Sequence, residues 1–217
     1  SDQGPVRGEN EDGWSIVLLD QIDGCALLLA DGMGGHAGGK MASGTALAAA
    51  TTALRDSGNP IRAMADAFRA ADRAVGEQQI PGAAGRSVSG TTLVGAVVCG
   101  TRVQVANVGD SRAYLLSGSG LAVVTTDHST SRNLLTRSVT GEGAPADFFD
   151  LSVRSGDVLI LCSDGLWSVL SDDVFRTILS EDEPLTSVAE HACDAALRAG
   201  STDNVTLALC RVMVADE

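Results

Sequence analysis

Hydrophobic and polar positions in the N-terminal part of the chain predict a β-hairpin. Residues 14–19 and 25–30 are two short apolar runs, and the segment between them ends in Asp23-Gly24. Asp-Gly between two such runs indicates a tight turn, in which glycine accepts the required positive φ. We therefore predict that Asp23 is a turn residue without a chemical role.

Two helices are predicted after the hairpin. The first covers residues 40–54, which are mostly small. Asn59-Pro60 then matches an N-cap followed by the first helical residue, and opens a second helix that extends to Gln78. The apolar side chains of the second helix recur at spacings of three and four residues, and we assign the resulting stripe to the core: Ile61, Met64, Phe68, Ala71 and Val75.

From residue 91 onward the pattern is typical of strands. The predicted strands cover residues 91–99, 102–107, 112–116, 121–125, 149–153 and 157–162. Two helices follow, over 171–179 and 184–199, before a closing strand over 204–212. Because strands and helices occur in groups and do not alternate, the predicted fold class is α+β, with sheets and helices in separate layers.

The charge balance excludes some classes of partner. The 217 residues include 15 basic and 28 acidic side chains, which gives a net charge of −13. Such a chain lacks the excess of lysine and arginine with which proteins bind nucleic acid or an anionic membrane. No apolar run is long enough to cross a bilayer and no signal segment is evident, so we expect a cytoplasmic protein. The five cysteines form no CxxC pair and are expected to be buried, reduced thiols.

Acidic residues occur repeatedly where predicted strands begin or end. The positions that share this feature are Glu11, Asp12, Asp31, Asp110, Asp164 and Asp203. Strand ends and their loops lie close together at one edge of a sheet, so these carboxylates are expected to converge. Gathered carboxylates repel one another unless they are protonated or bridged by a cation.

The residue types at these positions favour a hard cation and phosphate chemistry. With no His/Cys ligand set nearby, the suitable ions are Mg²⁺ or Mn²⁺. The glycine in Asp31-Gly32 permits close backbone approach, so the Gly32 carbonyl is a candidate ligand. Two ions that share a carboxylate can activate a water for attack on a phosphate ester. Arg7 is a candidate for binding the phosphate oxygens, because a guanidinium donates two parallel hydrogen bonds.

Three other kinds of phosphate or ester site fit the sequence poorly. Residues 34–40 match the GxxxxGK part of a P-loop, but Met41 stands where a P-loop needs Ser or Thr. A cysteine-dependent phosphatase would need an arginine six residues after Cys162, and that residue is Ser168. A serine hydrolase of the GxSxG type lacks its motif.

Six short segments, spread over nearly the whole chain, carry most of these residues. They are Arg7-Gly8-Glu9-Asn10-Glu11-Asp12, Asp31-Gly32-Met33-Gly34-Gly35-His36, Ser89-Gly90-Thr91-Thr92, Gly109-Asp110-Ser111-Arg112, Ser163-Asp164-Gly165 and Asp203-Asn204-Val205-Thr206. In this order they resemble the motifs of the bacterial metal-dependent protein phosphatases of type 2C. The resemblance implies one catalytic domain over residues 1–217, built as a four-layer α-β-β-α sandwich of two stacked antiparallel sheets flanked by helix pairs.

The resemblance also implies a binuclear metal centre. Asp31 would bridge two Mg²⁺ or Mn²⁺ ions, and Gly32 would contribute its carbonyl to one of them. Asp164 and Asp203 would hold the other ion. Glu11 and Asp12 would act through coordinated water. The implied reaction is hydrolysis of phosphoserine and phosphothreonine by a hydroxide that bridges the two ions.

Further roles follow from the same resemblance. Asp110, together with Asp164, matches a third and weaker metal position. Arg7 matches the phosphate-binding arginine, and Asn204 would support the ligands from behind. The implied partners are phosphorylated proteins, substrates of a cognate Ser/Thr kinase, and the domain is expected to be monomeric.

Two departures from the family pattern are visible. Met33 stands where eukaryotic members have a histidine proposed as general acid, and His36 is predicted to be structural. Family members usually carry a flap of some tens of residues near positions 128–137, where about eight residues remain here. The flap is therefore short or missing, which bears on substrate selectivity. The alternative function is a regulatory module that binds phosphoproteins with weak or no turnover, but the presence of Asp31, Asp164 and Asp203 favours the enzyme.

Overall fold

A computed structural model describes residues 1–34, 37–78, 89–130, 134–181 and 183–213 of the chain, without the side chains of residues 37, 60 and 61. The strands are β1 (Asp12–Leu19), β2 (Gly24–Met33), β3 (Gly90–Thr91), β4 (Leu93–Cys99), β5 (Arg102–Val108), β6 (Arg112–Ser117), β7 (Gly120–Val123), β8 (Asp147–Ser152), β9 (Val158–Cys162) and β10 (Leu207–Arg211). The helices are α1 (Ala37–Asp56), α2 (Pro60–Gln78), α3 (Asp164–Trp167), α4 (Asp172–Leu179) and α5 (Leu185–Arg198). A 3₁₀ turn at Asp20–Ile22 lies between β1 and β2. The predictions for Ile61 and His36 concern side chains outside the described part.

The strands form two antiparallel sheets. The first has the order β1-β2-β4-β5-β8, with β3 paired to β2, and the second has the order β10-β9-β6-β7. One hydrophobic cluster joins α1 and α2 to the first sheet, a second joins α4 and α5 to the second sheet, and a third fills the space between the sheets. These layers confirm the α+β sandwich flanked by helix pairs.

Strand β2 shows why its sequence is apolar without interruption. Ala26 and Leu28 face the helix pair, whereas Leu27 and Leu29 face the second sheet. All four side chains are at most 1% exposed. Successive side chains of a strand point to opposite faces, so a strand covered on both sides needs apolar residues at every position. This burial fixes the position of Asp31, which follows directly on the same strand.

The stripe predicted on the second helix is confirmed for its described members. Met64, Phe68, Ala71 and Val75 on α2 are all buried in the cluster beneath the helix pair. The small residues of α1 serve the same contact, because Ala46 and Ala50 are fully buried there. No helix within the described residues is long and apolar enough to span a bilayer.

Several local predictions were wrong. The positive φ of the first hairpin falls on Asp23, at 47°, and not on Gly24. Gly24 instead lies close to a neighbouring strand, since a Cβ there would come 2.5 Å from the Val98 carbonyl oxygen. The predicted strand over 91–99 is divided at Thr92, and the closing strand begins only at Leu207.

The two flanks of the expected flap lie next to each other. Ser129 and Leu135 form an isolated antiparallel bridge. The Thr130 N–H donates to the Leu134 carbonyl at 2.9 Å, and the Thr136 N–H donates to the His128 carbonyl at 2.8 Å. Residues 131–133 lie outside the described part. The described flanks therefore pair with each other.

The prediction of buried cysteines holds for only part of the set. All five cysteines are free thiols, and Cys162 and Cys193 are buried. Cys25, Cys99 and Cys210 are half-buried instead. Apolar neighbours in sequence did not distinguish these two groups. Cys25 lies near the start of β2 and Cys210 near the end of β10, where burial is incomplete.

Candidate metal centre

The hairpin of β1 and β2 places two predicted metal ligands side by side. Asp12 and Asp31 are directly opposite each other in the antiparallel register. Side chains at opposed positions of neighbouring strands share one face of the sheet. The chain segments around Glu11 and Asp31 are also joined directly, because the Gly32 N–H donates to the Glu11 carbonyl at 3.2 Å.

Two threonines hold the backbone of Asp31. Its N–H donates to Thr92 Oγ1 at 3.0 Å, and its carbonyl accepts from the Thr92 N–H and from Thr91 Oγ1, both at 2.9 Å. Thr92 Oγ1 in turn lies 2.7 Å from Ser111 Oγ. The Ser-Gly-Thr-Thr segment thus connects Asp31 to the loop that carries Asp110, a role that the sequence analysis did not assign.

Gly32 occupies a space in which no side chain fits. A Cβ at this position would lie 2.3 Å from the Gly39 carbonyl oxygen and 2.8 Å from the Glu11 carbonyl oxygen. Gly39 is equally restricted, since its Cβ would come 2.7 Å from Glu11 Oε2. Glycine at both positions therefore lets the start of α1 pack against the acidic segment.

Asp164 and Asp203 meet where α3 packs against the segment before β10. Asp164 is in the first turn of α3, a four-residue helix that the sequence analysis did not predict. A Cβ on Gly165 would lie 2.0 Å from the Asn204 carbonyl oxygen, so these two segments are in direct contact. Asp203 Oδ1 accepts from the Asn204 N–H at 2.8 Å, and Asp203 Oδ2 accepts from Arg7 at 2.5 Å.

The carboxylates interact electrostatically as one group. Burial raises the pKa of Asp31 well above its ordinary value, and the charges of Asp12, Asp164, Asp203 and Asp110 raise it further. Burial is also the main reason that the pKa of Asp12 is raised to about 6. The pKa of Asp164 is raised by burial and then by the charge of Asp203, against a hydrogen bond with Asp31 that lowers it. The predicted convergence of these aspartates is therefore present in the structure.

One oxygen of this group is buried and lacks a hydrogen bond of ordinary geometry from any described residue. Asp12 Oδ2 accepts from Ser163 Oγ at 2.8 Å, whereas no described group donates such a bond to the buried Asp12 Oδ1. A buried carboxylate oxygen is ordinarily satisfied by a donor, a water or a cation. Oxygen ligands carrying several negative charges are the donor set that Mg²⁺ and Mn²⁺ prefer. The residues present thus fit divalent ions.

Asp110 is held next to this group by its backbone. Its carbonyl accepts from Trp167 Nε1 at 3.0 Å, and Gly109 before it has a φ of 110°. Burial, followed by the charge of Asp164, raises the pKa of Asp110 to about 6. The charge of Arg112 offsets this rise only in part. Its guanidinium pairs with Asp127 at 2.9 and 2.7 Å and stacks over Trp167 at 3.6 Å.

Asn204 supports the N-terminal segment from beneath. Its side chain is buried, donates to the carbonyls of Gln3 and Glu9 at 2.7 and 3.1 Å, and accepts from the Glu11 N–H at 2.9 Å. Three hydrogen bonds from one buried amide fix the segment that carries Arg7 and Glu11. The side chain of Arg7 remains 51% exposed at the edge of the centre.

A second set of possible metal ligands was not predicted. The ligand atoms of Glu181, Glu183 and His191 lie within 4.8 Å of one another, and His191 Nδ1 is 2.8 Å from Glu181 Oε2. The aspartate group is more open, since no three of its described side chains bring ligand oxygens that close. The set around His191 is largely exposed and has the contacts of an ordinary surface ion pair.

Converging aspartates with raised pKa values, bordered by an exposed arginine, are typical of a functional site, and their oxygen ligands suit catalysis by divalent cations. The sequence profile of the protein phosphatase 2C family matches residues 7–200. The chain belongs to this family.

Relatives and solved structures agree with this assignment. The chain is 34% identical to the serine/threonine protein phosphatase PstP of Mycobacterium tuberculosis over 98% of its own length, but spans only 44% of that protein. It is 30% identical to the serine/threonine phosphatase stp of Listeria welshimeri, covering 96% of this chain and 92% of that protein. A crystal structure of the PstP catalytic domain in complex with two manganese ions superimposes with a TM-score of 0.85 at 33% identity, over 98% of this chain and 96% of that one.

Proposed function

We propose that this domain is a metal-dependent protein serine/threonine phosphatase that hydrolyses phosphoserine and phosphothreonine. The observation that carries the proposal is the convergence of four aspartates, from four other segments of the chain, around Asp31. Relatives of similar length are named serine/threonine phosphatases, and PstP binds two manganese ions in its crystal structure.

The proposed ligands divide between two ions. Asp31 would serve both ions, and the charges of Asp12 and Asp164, which both act on it, support this role. The Gly32 carbonyl would complete one site, Asp164 and Asp203 would form the other, and Glu11 and Asp12 would act through water. Two bound Mg²⁺ or Mn²⁺ ions would supply an activated water as the nucleophile and neutralise charge on the phosphate. Asp12 Oδ1 supports this role, since it offers a buried acceptor to such a water.

Arg7 is proposed to bind the phosphate. Its guanidinium lies beside Asp203 and is half exposed, so it has further N–H groups to donate. A phosphate oxygen accepts such charge-assisted hydrogen bonds in pairs. The ion pair with Asp203 therefore holds the guanidinium at the edge of the metal centre, where a phosphoserine side chain enters from solvent.

The leaving oxygen of serine needs a proton, and Met33 cannot supply it. We propose that a water held beside Asp110, at a third and weaker ion site shared with Asp164, provides this proton. Asp110→Ala should then lower the turnover of a phosphoserine peptide more than that of nitrophenyl phosphate, whose leaving group is stable without protonation. Equal losses on both substrates would exclude this role for Asp110.

The partners are proposed as phosphorylated proteins of a cognate Ser/Thr kinase. With a net charge of −13, the domain has no general attraction for acidic phosphoproteins, so recognition would depend on the phosphoresidue and its neighbours. The short connection between Ser129 and Leu135 leaves little chain to cover the centre. We expect low selectivity among phosphopeptides. A single domain over residues 1–217, its monomeric state and its cytoplasmic location stay predictions from the sequence.

The test is hydrolysis of nitrophenyl phosphate and of a phosphothreonine peptide with Mn²⁺, with and without a chelator. We expect chelator-sensitive hydrolysis of both substrates. Asp31→Asn should lower kcat on the order of 10³-fold, because a shared metal ligand is worth several kcal/mol in the transition state. Asp150→Asn is the matched control, because Asp150 is an exposed aspartate of β8 that accepts from Gln104 at 3.1 Å. Phosphopeptide binding without turnover would favour a regulatory module instead.

A further inference from the structure

Two thiols face each other across the two sheets. Cys25 lies near the start of β2 in the first sheet, and Cys210 lies near the end of β10 in the second. Their Sγ atoms are 3.9 Å apart, although 185 residues separate the two cysteines in the chain. Both side chains are half-buried and pack at the border of the cluster between the sheets.

The two thiols lie on the strands that lead to the proposed metal centre. Asp31 follows Cys25 by six residues on β2, and Asp203 precedes Cys210 by seven residues. At a rise of about 3.3 Å per residue, the thiol pair is about 20 Å from these aspartates. Chemistry at the thiols therefore takes place at the opposite end of the sandwich from the metal centre.

We propose that Cys25 and Cys210 are an oxidation site, at which a peroxide joins the two sheets through a disulfide bond. The Cys25 thiolate attacks one oxygen of hydrogen peroxide, the O–O bond breaks, and a sulfenic acid and a hydroxide form. The hydroxide takes up the proton that the Cys25 thiol lost on ionising, which gives a first water. The Cys210 sulfur then attacks the Cys25 sulfur, the S–O bond breaks, and a second water leaves with the remaining thiol proton. Two thiols are thus oxidised by two electrons, and one peroxide is reduced to two waters.

Geometry and thiol acidity both favour this pair over the other cysteines. The sulfurs must approach from 3.9 Å to the S–S bond length of about 2.05 Å, which side-chain rotation and a small backbone shift can supply. The hydrogen bond with Cys210 lowers the pKa of Cys25 to about 7, so its thiolate is populated at neutral pH. The Cys193 thiol is less acidic, because burial raises its pKa.

Cys99 provides a matched control within the same sheet. It is half-buried like Cys25 and Cys210, but its thiol donates to the Ile22 carbonyl at 3.1 Å. A reagent that oxidised half-buried thiols indiscriminately would modify Cys99 as well. The proposal requires that Cys99 keeps its thiol while Cys25 and Cys210 lose theirs.

The disulfide is expected to stabilise the fold without changing the metal centre. It would close a loop of 185 residues and so restrict the unfolded chain. We expect the thermal unfolding midpoint of the oxidised protein to rise on the order of 5–10 °C. Because the new bond lies far from Asp31, hydrolysis of nitrophenyl phosphate should change less than about twofold.

The experiment treats the reduced full chain with a small excess of hydrogen peroxide. The free thiol count should fall from five to three, and the mass should fall by about 2 Da. Peptide mapping should identify a Cys25–Cys210 crosslink that dithiothreitol reverses. Cys25→Ser and Cys210→Ser should each abolish both the crosslink and the rise in unfolding midpoint, whereas Cys99→Ser should retain them.

Four results would overturn the proposal. The thiol count could stay at five, the crosslink could map to another pair, or Cys25 could gain oxygen as sulfinic acid without bonding to Cys210. A rise in unfolding midpoint that persists in Cys25→Ser would also contradict it. None of these results depends on phosphatase activity, so the proposed function and this proposal can fail independently.

Discussion

Two groups of aspartates occupy neighbouring parts of this fold under opposite electrostatic conditions. In the first group, Asp127 accepts two hydrogen bonds from Arg112, at 2.9 and 2.7 Å. Asp147 is paired with Arg137 at 2.7 Å and with His128 at 3.1 Å. These contacts lower the pKa of Asp147, with the hydrogen bond from His128 as the largest cause. Each carboxylate of this group has its cation, which makes the group structural.

The second group has the opposite arrangement. Burial raises the pKa of Asp12, Asp31, Asp110 and Asp164, and the charge of at least one other aspartate raises each of them further. The arginine in contact with this region, Arg7, pairs with Asp203 at the solvent edge. Arg112 and Arg137 form their hydrogen-bonded ion pairs with Asp127 and Asp147, so the negative charges of the second group are only partly compensated. The comparison supports the proposal that divalent cations bind at the second group.

Removing Arg7, the arginine at the edge of the metal centre, should have a large effect on catalysis. Arg7→Ala is expected to lower kcat/KM for a phosphothreonine peptide on the order of 10²-fold, or about 3 kcal/mol, because charge-assisted donors to the phosphate are lost. Arg7→Lys should recover only part of this loss, since lysine cannot donate two parallel hydrogen bonds. Arg55→Ala, an exposed arginine of α1, is the control. Unchanged steady-state kinetics of Arg7→Ala would show that Arg7 does not bind the phosphate.

Removing the buried side-chain amide of Asn204 should lower the stability of the fold. Asn204→Ala leaves the Gln3 and Glu9 carbonyls and the Glu11 N–H without their partner. We expect a loss of about 2 kcal/mol in the free energy of unfolding, because unsatisfied buried groups are costly. Urea denaturation measures this loss. A free energy within experimental error of the wild type would show that water replaces the amide.

Neutralising one carboxylate of the second group should stabilise the metal-free protein. The pKa of Asp12 in the folded state, about 6, lies above its ordinary value, so ionised Asp12 costs stability at pH 7.5. In chelator, Asp12→Asn should gain about 1–2 kcal/mol at pH 7.5, and this gain should vanish below pH 4. Chemical denaturation at several pH values measures it. A destabilised Asp12→Asn in chelator at pH 7.5 would contradict the proposed repulsion.

The corresponding substitution in the first group, Asp147→Asn, should change the free energy of unfolding in the opposite direction and by a smaller amount. The pKa of Asp147 is lowered, so its stabilising effect is present above the ordinary pKa and is lost as the pH falls through the folded value. Asp147→Asn should therefore lose less than about 1 kcal/mol at pH 7.5, since the carboxylate is partly exposed. This loss should disappear in acid. A gain in stability would mean that the two groups do not differ.

The sequence was informative where function depends on residues at strand ends. Asp31 follows a strand buried on both faces, and its position could be read from the uninterrupted apolar run. Asp12 and Asp203 lie near the predicted strand ends: Asp12 is the first residue of β1, and Asp203 precedes β10, which begins at Leu207. Short polar motifs between strong strands are local signals, and they carried most of the candidate site.

The features that escaped prediction depend on tertiary contacts. The helix that carries Asp164 has only four residues, which is too short for a periodic pattern. The hydrogen bonds of Thr92 to Asp31 and Ser111 join residues far apart in sequence, so no local sequence pattern predicts them. The positive φ fell on Asp23 because the adjacent glycine was needed to approach Val98. The pairing of Cys25 with Cys210 required the packing of two sheets.

The central claim is tested most directly by counting bound manganese. Equilibrium dialysis of the purified chain against Mn²⁺, followed by elemental analysis, should give at least two tightly bound ions per chain. Asp31→Asn should lose at least one of them, whereas Asp127→Asn should keep both, because Asp127 is already paired with Arg112. Wild-type protein that binds no manganese, or Asp31→Asn that binds as much as the wild type, would contradict the account.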